Sequence, residues 1–328
     1  MSNVDYGPLN VELRAHETEL LNDDFFRQLL SAKTIEEALK LLQGTPYEFI
    51  KDGSNIDRDL RSYMAGIFNR AFEMAPDKEV IEFASLDYSY HNLKVLFKDY
   101  YSDMDLEHLT IPVGRYSIEE FQKAVRTGMS QSLPQEYMTA ITAVREYLES
   151  YNNINHIDIL LDYNYLEHLY KLAQKIGHPL IIKMVEEFID INSMIISLRL
   201  TKLNKPVSAL LGMVPDVGAI SSQQFVQWAR DGYDTLSRNL MESSYRNILS
   251  GSLDSQQRIN PIELEKIADN HWMSLIQAAK FESFGPLPII AFLYAKETEV
   301  KNLRLILSGL DNQLPKESIE EALRLNYR

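Results

Sequence analysis

The sequence predicts an all-α protein made of three homologous helical domains. Three observations lead there. Apolar residues recur at helical intervals, strand signals are scarce, and the same short motifs return about every hundred residues.

The helical spacing is clearest near the C-terminus. Val300, Leu303, Leu307 and Leu310 follow one another at steps of three, four and three, which places them on one helix face. Pro286 and Pro288 suit the start of this helix, where a missing N–H costs nothing, and Gly309 suits its end. Glu297 and Lys301 stand one helical turn apart in the favourable order, and Arg304 shares their side. An apolar stripe beside a charged one describes a helix packed on a core with a solvated back. It is no membrane anchor. The apolar run from Pro286 to Ala295 meets Lys296, Glu297, Glu299, Lys301 and Arg304 well short of the ~20 apolar residues that a span requires. Each such charge at mid-membrane costs roughly 2.5–3.5 kcal/mol.

The same helix has echoes upstream. Asn302-Leu303-Arg304-Leu305-Ile306-Leu307 resembles Asn92-Leu93-Lys94-Val95-Leu96-Phe97, and in each copy an acid, Glu297 or Asp87, lies five residues before the asparagine. A middle version, FIDINSMIISLRL, sets Asp190 at the corresponding point, with Asn192 three positions early and its basic residue, Arg199, late. The three acids are 103 and 107 residues apart. Ala15-His16-Glu17-Thr18-Glu19-Leu20 likewise mirrors Ala295-Lys296-Glu297-Thr298-Glu299-Val300.

Helix starts repeat as well. Thr34-Ile35-Glu36-Glu37, Ser117-Ile118-Glu119-Glu120, Ser221-Ser222-Gln223-Gln224 and Ser318-Ile319-Glu320-Glu321 all have the form of a capping box. In that motif a hydroxyl and a carboxylate or amide satisfy each other's backbone N–H across the first turn. The two central boxes each follow a glycine, Gly114 or Gly218, by three residues and each runs into a phenylalanine. The repeats divide the chain into helical units at 1–123, 124–229 and 230–328. That period is too long for the common helical solenoids and favours a ring or funnel of three domains.

Composition narrows the function classes. In 328 residues, 45% hydrophobic and 24% charged, a sizeable core is available. A net charge of −14 argues against a nucleic-acid backbone binder and against electrostatic docking on anionic lipid. The absence of cysteine excludes disulfides and thiolate metal sites and fits a reducing compartment. The opening MSNVDYGPLNVELRAHETEL lacks the basic start and apolar core of a signal peptide.

Catalytic motifs are missing. There is no Walker loop, no GxGxxG after a strand and no GxSxG. The seven histidines are never closer than ten residues to each other, so no helical pair can hold zinc. The run from Asp103 to Gly114 lacks the sixth-position glycine and the closing glutamate of a calcium loop, and Asn22-Asp23-Asp24 is one acid short of a prenyl-diphosphate site. No catalytic residue, cofactor or metal is expected. The candidates that remain lie on the repeated helices: Asp87, Asn92, Lys94, Asp190, Asn192, Arg199, Glu297, Glu299, Lys301, Asn302 and Arg304. They either tie neighbouring helices together or line a central opening that faces a partner. Paired charges inside helical proteins serve architecture first.

With these repeats in view, the chain resembles the C subunits of the bacterial and archaeal V/A-type rotary ATPases, relatives of the d subunit of the eukaryotic V-ATPase. The residues that carry the resemblance are Gly285-Pro286-Leu287-Pro288-Ile289-Ile290-Ala291, Lys296-Glu297-Thr298-Glu299-Val300-Lys301-Asn302-Leu303-Arg304, Gly309, Leu314-Pro315 and Ile319. Leu13-Arg14-Ala15, Phe25, Leu29-Leu30, Leu42-Gln43-Gly44-Thr45-Pro46-Tyr47 and Ile189-Asp190-Ile191-Asn192 also fit the family pattern. The resemblance implies a funnel of three helical domains about a pseudo-threefold axis and no catalysis. It implies a peripheral protein on the cytoplasmic face of the membrane. One end would sit on the proteolipid rotor ring and the other would receive the central shaft, formed by the D and F subunits. Such a part transmits torque between ATP turnover and transport of Na+ or H+. Two rivals stand beside it. A generic helical-repeat scaffold would show a shorter pitch, and an all-helical enzyme would need convergent acids holding a metal.

Overall fold

A computed structural model of the chain describes residues 5–102, 104–151 and 153–328. Among the described residues there are fifteen α-helices and several short 3-10 turns. They are α1 (Gly7–Glu17), α2 (Asp23–Ser31), α3 (Ile35–Leu41), α4 (Ile56–Met74), α5 (Lys78–Tyr101), α6 (Ile118–Thr127), α7 (Gln135–Tyr151) and α8 (Ile157–Ile176). They continue with α9 (Pro179–Lys202), α10 (Ser222–Arg230), α11 (Tyr233–Met241), α12 (Arg246–Leu249), α13 (Pro261–Ile276), α14 (Pro286–Asp311) and α15 (Lys316–Ala322). No β-strand forms among the described residues, and Leu253 and Ile259 make an isolated antiparallel bridge. The expectation of an all-helical chain holds, and none of these helices is long and apolar enough to cross a membrane.

Helix starts follow local chemistry. Ser117 with Glu120, and Ser221 with Gln224, form complete reciprocal capping boxes at α6 and α10. Thr34 accepts from the Glu37 N–H, but the Glu37 carboxylate reaches one residue further, to the Lys33 N–H at 2.8 Å. Ser318 does not cap. Pro315, with φ −55°, starts α15 earlier, and Ser318 falls inside its first turn. The repeated hexapeptide also divides. Ala295–Val300 lies inside α14, whereas Ala15–Leu20 ends α1, because Asn22 accepts from the Phe25 N–H and so opens α2 at once.

The chain folds into two compact units. The first combines residues up to Ala84 with residues 273–328 and is organised around α14, which packs against α1, α2, α3, α4 and α15. Leu287, Ile289, Ile290, Leu293, Leu303, Ile306 and Leu307 of this helix are fully buried. At roughly 25 cal/mol per Å² of apolar surface, such side chains supply about 1.5–3 kcal/mol each before entropy is counted. Pro286 and Pro288 open α14 as expected, but Gly309 does not close it. The helix runs on to Asp311, and a Cβ on Gly309 would stand 2.6 Å from the Ile319 side chain. This glycine exists to let α15 come close.

The second unit, residues 85–272, is a stack of long antiparallel helices. Along α5, Tyr90, Lys94 and Lys98 meet Asn164, Asp162 and Asp158 of α8 in falling order, so the two run in opposite directions. Tyr137 lies against His168 and Tyr147 against His156, which makes α7 antiparallel to α8 as well. The tight turn at Gly177-His178 reverses the chain into α9, and Tyr170 reaches Glu186 across the pair. Glu187 and Arg199 of α9 meet His271 and Glu265, so α13 again runs the other way. The C-terminal ends of α5, α7 and α9 therefore lie at the same end of this unit as the starts of α8 and α13. Met194, Leu198, Leu210, Phe225, Leu236, Leu240, Leu249 and Leu264 form its main apolar cluster.

His168 sits in this stack beneath the edges of Tyr90 and Tyr137, with the Tyr90 hydroxyl 3.3 Å from its Nδ1. Burial lowers its pKa from 6.5 to about 4, against the attraction of Glu136. The unfolded chain therefore takes up a proton here at a pH where the folded chain does not. Stability should fall as pH drops from 6.5 to about 4, by up to about 3 kcal/mol from this group. Urea denaturation at a series of pH values checks this, and His168→Gln should flatten that part of the profile.

Candidate functional site

The candidates separate by burial. Asn92, Asp190, Glu297, Glu299 and Asn302 are buried; Asn192, Lys94 and Arg304 are half-buried; Asp87, Arg199 and Lys301 are exposed.

Three of the buried side chains perform one task. The Asn92 amide on α5 donates to the Ile111 carbonyl at 2.7 Å and accepts from the Ile111 N–H at 2.8 Å. The Asn302 amide on α14 does the same to Arg324, donating at 2.9 Å and accepting at 3.0 Å, and also donates to Asn326 Oδ1. On α9 the Asp190 carboxylate accepts from the Ala219 N–H at 2.7 Å, from the Ile220 N–H at 3.4 Å and from the Tyr245 hydroxyl at 2.6 Å. In each case one polar side chain on a long helix satisfies the backbone of a segment that follows it in sequence. Backbone groups in a buried crossing of this kind must be bonded somewhere.

This task corrects one detail of the sequence register. Asn92 and Asn302 are equivalent, as their shared hexapeptide suggests. Asp190 takes the asparagine role, however, and not the role of Asp87 or Glu297. Asn192 is left to bond the Phe188 carbonyl of its own helix. Burial drives the Asp190 carboxyl above its usual value, opposed by the Tyr245 hydroxyl and the two backbone N–H groups.

The glycines before the central capping boxes have the same origin. A Cβ at Gly218 would lie 1.9 Å from Asp190 Oδ1, and one at Gly114 would lie 2.9 Å from Ser89 Oγ. Only glycine lets these segments pass so close to α9 and α5.

The basic partners of the echo also act alike. Lys94 pairs with Asp162 of α8 at 2.5 Å, and Arg304 pairs with Asp57 of α4 at 2.8 Å. Arg199 lies further along its helix and pairs with Glu265 of α13 at 2.8 Å. All three are open to water, where such pairs are worth about 0–1 kcal/mol. Lys301 stands 3.7 Å from Glu297, the expected pair on α14.

Glu299 belongs to a network that sequence periodicity could not reveal. It is 3% exposed, and it accepts from the Tyr47 hydroxyl at 2.5 Å, from the Leu21 N–H and from the Lys296 ammonium at 2.7 Å. Lys296, 2% exposed, also lies 5.3 Å from the centre of the Tyr47 ring and 5.7 Å from that of Tyr63. Burial, then Glu299, pushes the Tyr47 hydroxyl far above its usual pKa, so it stays a donor. A buried ion pair costs several kcal/mol per ion in desolvation, and this one is offset by the Tyr47 and Leu21 donors on Glu299 and by the two ring faces beside Lys296. On its outer side Lys296 borders an apolar cavity of about 490 Å³, walled by Leu9, Leu13, Ile67 and Phe292.

Similarity to known proteins covers this whole framework. The family described as "ATP synthase (C/AC39) subunit" matches residues 9–322. The chain is 30% identical to the C subunit of the V-type sodium ATPase of Enterococcus hirae over 327 residues, spanning 99% of each protein. It is 23% identical to the C subunit of the A-type ATP synthase of Methanocaldococcus jannaschii, over 97% of this chain and 86% of that one. With the corresponding A-type ATP synthase protein of Desulfurococcus sp. it shares 21% identity over 96% of its length and 90% of the relative's.

Two outcomes follow for stability. Glu299→Gln strands the Lys296 ammonium and should cost about 3–5 kcal/mol in urea unfolding, while adding Lys296→Met to it should recover part of the loss. Asn92→Ala and Asn302→Ala each leave a buried backbone pair unbonded and should cost about 1–3 kcal/mol. Gly218→Ala should cost a similar ~1–3 kcal/mol by forcing Asp190 off its donors.

Proposed function

The chain belongs to the ATP synthase (C/AC39) subunit family, and we propose that it is the central-stalk adaptor of a V/A-type rotary ATPase. In this reading it sits on the cytoplasmic face of the membrane. It joins the proteolipid rotor ring to the central shaft, made of the D and F subunits, and passes torque between ATP turnover and transport of Na+ or H+. It performs no bond-making step itself. Its three related domains, 1–123, 124–229 and 230–328, would stand as a funnel about a pseudo-threefold axis.

The observation that carries this reading is the end-to-end similarity to the Enterococcus hirae protein, which leaves almost no part of either chain unaccounted for. Two structural features support it. One tether, at Asn92, Asp190 and Asn302, recurs at intervals of about a hundred residues, as three copies of one plan require. A torque-bearing part must also resist bending, and α5, α9 and α14 are 24, 24 and 26 residues long with their following segments tied back to them. The exposed or half-buried charges at Asp87, Lys94, Arg199, Lys301 and Arg304 are the candidates for polar contact with a shaft that can detach from the membrane sector.

Affinity purification of the full chain from detergent-solubilised membranes tests the role. The proteolipid and a shaft protein should co-elute; recovery of neither would overturn it. Lys301→Ala with Arg304→Ala should leave head-group ATP hydrolysis running while ion transport drops several-fold. Full coupling in that variant would remove these two residues from the interface.

A further inference from the structure

Three helices of the first unit meet around the apolar cavity beside Lys296. Helix α1 lines it with Leu9 and Leu13, α4 with Tyr63, Gly66 and Ile67, and α14 with Phe292. On each helix these residues stand three or four positions apart, so one face of each is turned to the same space. At about 490 Å³ the cavity has the size of a small-molecule site.

Gly66 has no explanation inside the chain. It stands in the middle of α4 without a positive φ, where glycine supports a helix less well than alanine. A Cβ there would meet nothing within 4 Å, whereas one at Gly218 or Gly309 would collide with a neighbour. Its missing side chain therefore serves open space, and leaves the α4 wall of the cavity bare. The polar groups at this wall are incomplete in the same sense. The Tyr63 hydroxyl forms no hydrogen bond among the described residues. Burial, followed by the charges of Glu299 and Glu19, raises its pKa, so it keeps its proton. The Lys296 ammonium has three N–H groups and one hydrogen-bonded acceptor, Glu299. The rim, by contrast, is already engaged: Glu12 pairs with Arg70 at 3.1 Å and Glu19 bonds His16 at 3.0 Å.

We propose that this cavity binds an uncharged, mainly apolar small molecule that carries an acceptor oxygen, such as a ketone or an ester, lying against Gly66 and accepting from the Tyr63 hydroxyl. The walls supply apolar contact, and the donors left over call for an acceptor brought by the ligand. Net charge of either sign is disfavoured. An anion would meet Glu12 and Glu19 at the rim, and a cation would meet the Lys296 ammonium inside. Glycine at position 66 lets a flat ring or a chain reach the α4 backbone, which any side chain would hold off. Such a ligand would bridge α1, α4 and α14 and stabilise the folded unit by mass action. The site stands apart from the central-stalk role and does not depend on it.

Prodan, a neutral naphthyl ketone whose emission moves to the blue in apolar surroundings, tests the site on the purified full chain. It should bind saturably, one per chain, with a Kd on the order of 100 µM or tighter. Gly66→Leu fills the space beside α4 and should weaken binding about tenfold or more. Tyr63→Phe should weaken it by about two- to tenfold, with the midpoint of thermal unfolding unchanged, because the lost hydroxyl bonds nothing in the chain. Gly66→Ala should raise that midpoint by about 1–3 °C. A fall in the midpoint would show that the chain itself needs this glycine, and would overturn the proposal. So would the absence of saturable binding, an unchanged affinity in Gly66→Leu, or equally tight displacement of prodan by the anilinonaphthalene sulfonate anion. Loss of the ring or the shaft from Gly66→Leu purified out of solubilised membranes would assign the cavity to a protein side chain, and would overturn it too.

Discussion

The structure depends on one constraint: where a connecting segment crosses a long buried helix, its backbone must find bonds on that helix. Asn92 and Asn302 meet the requirement with an amide, which can donate to a carbonyl and accept from an N–H of the same residue. Asp190 meets it with a carboxylate, which only accepts, and the local backbone offers it two N–H groups and a tyrosine hydroxyl. The choice of side chain follows from what the crossing backbone presents. Gly218 and Gly114 follow too, since any side chain there would push the segment off its helix.

The same logic explains why the most charged part of α14 is also among its most buried. Lys296 and Glu299 are held between Tyr47, Tyr63 and the Leu21 backbone, and every polar atom that loses water gains a directed partner. Apolar residues of similar size would pack at least as well, so a pair of this kind acts more on uniqueness than on total stability. The coupling role proposed above would gain from that. Its helices must keep one arrangement under load, and a buried ion pair has one good geometry where an apolar contact has several.

The chain as a whole is strongly acidic, with a net charge of −14, which disfavours nucleic acid and anionic lipid as partners.

By itself the sequence determined what local chemistry and periodicity can determine. The all-helical class, the start of α14 at Pro286, the capping boxes at Ser117 and Ser221 and the kinship of Asn92 with Asn302 were all legible, because each depends on residues within a turn or two of each other. The family was legible too, through the run from Gly285 to Arg304. What failed needed a distant partner. Ser318 reads as a cap until Pro315 has opened the helix, and Gly309 reads as a stop until Ile319 packs on it. Asp190 reads as one of three repeated acids until Ala219 and Ile220 arrive. Nothing local marks Lys296 and Glu299 as a buried pair, because their burial is decided by Leu21, Tyr47 and Tyr63, more than two hundred residues away in sequence. Periodicity records which side of a helix is apolar; only the folded chain decides which polar groups lose their water, because that depends on what else comes to cover them.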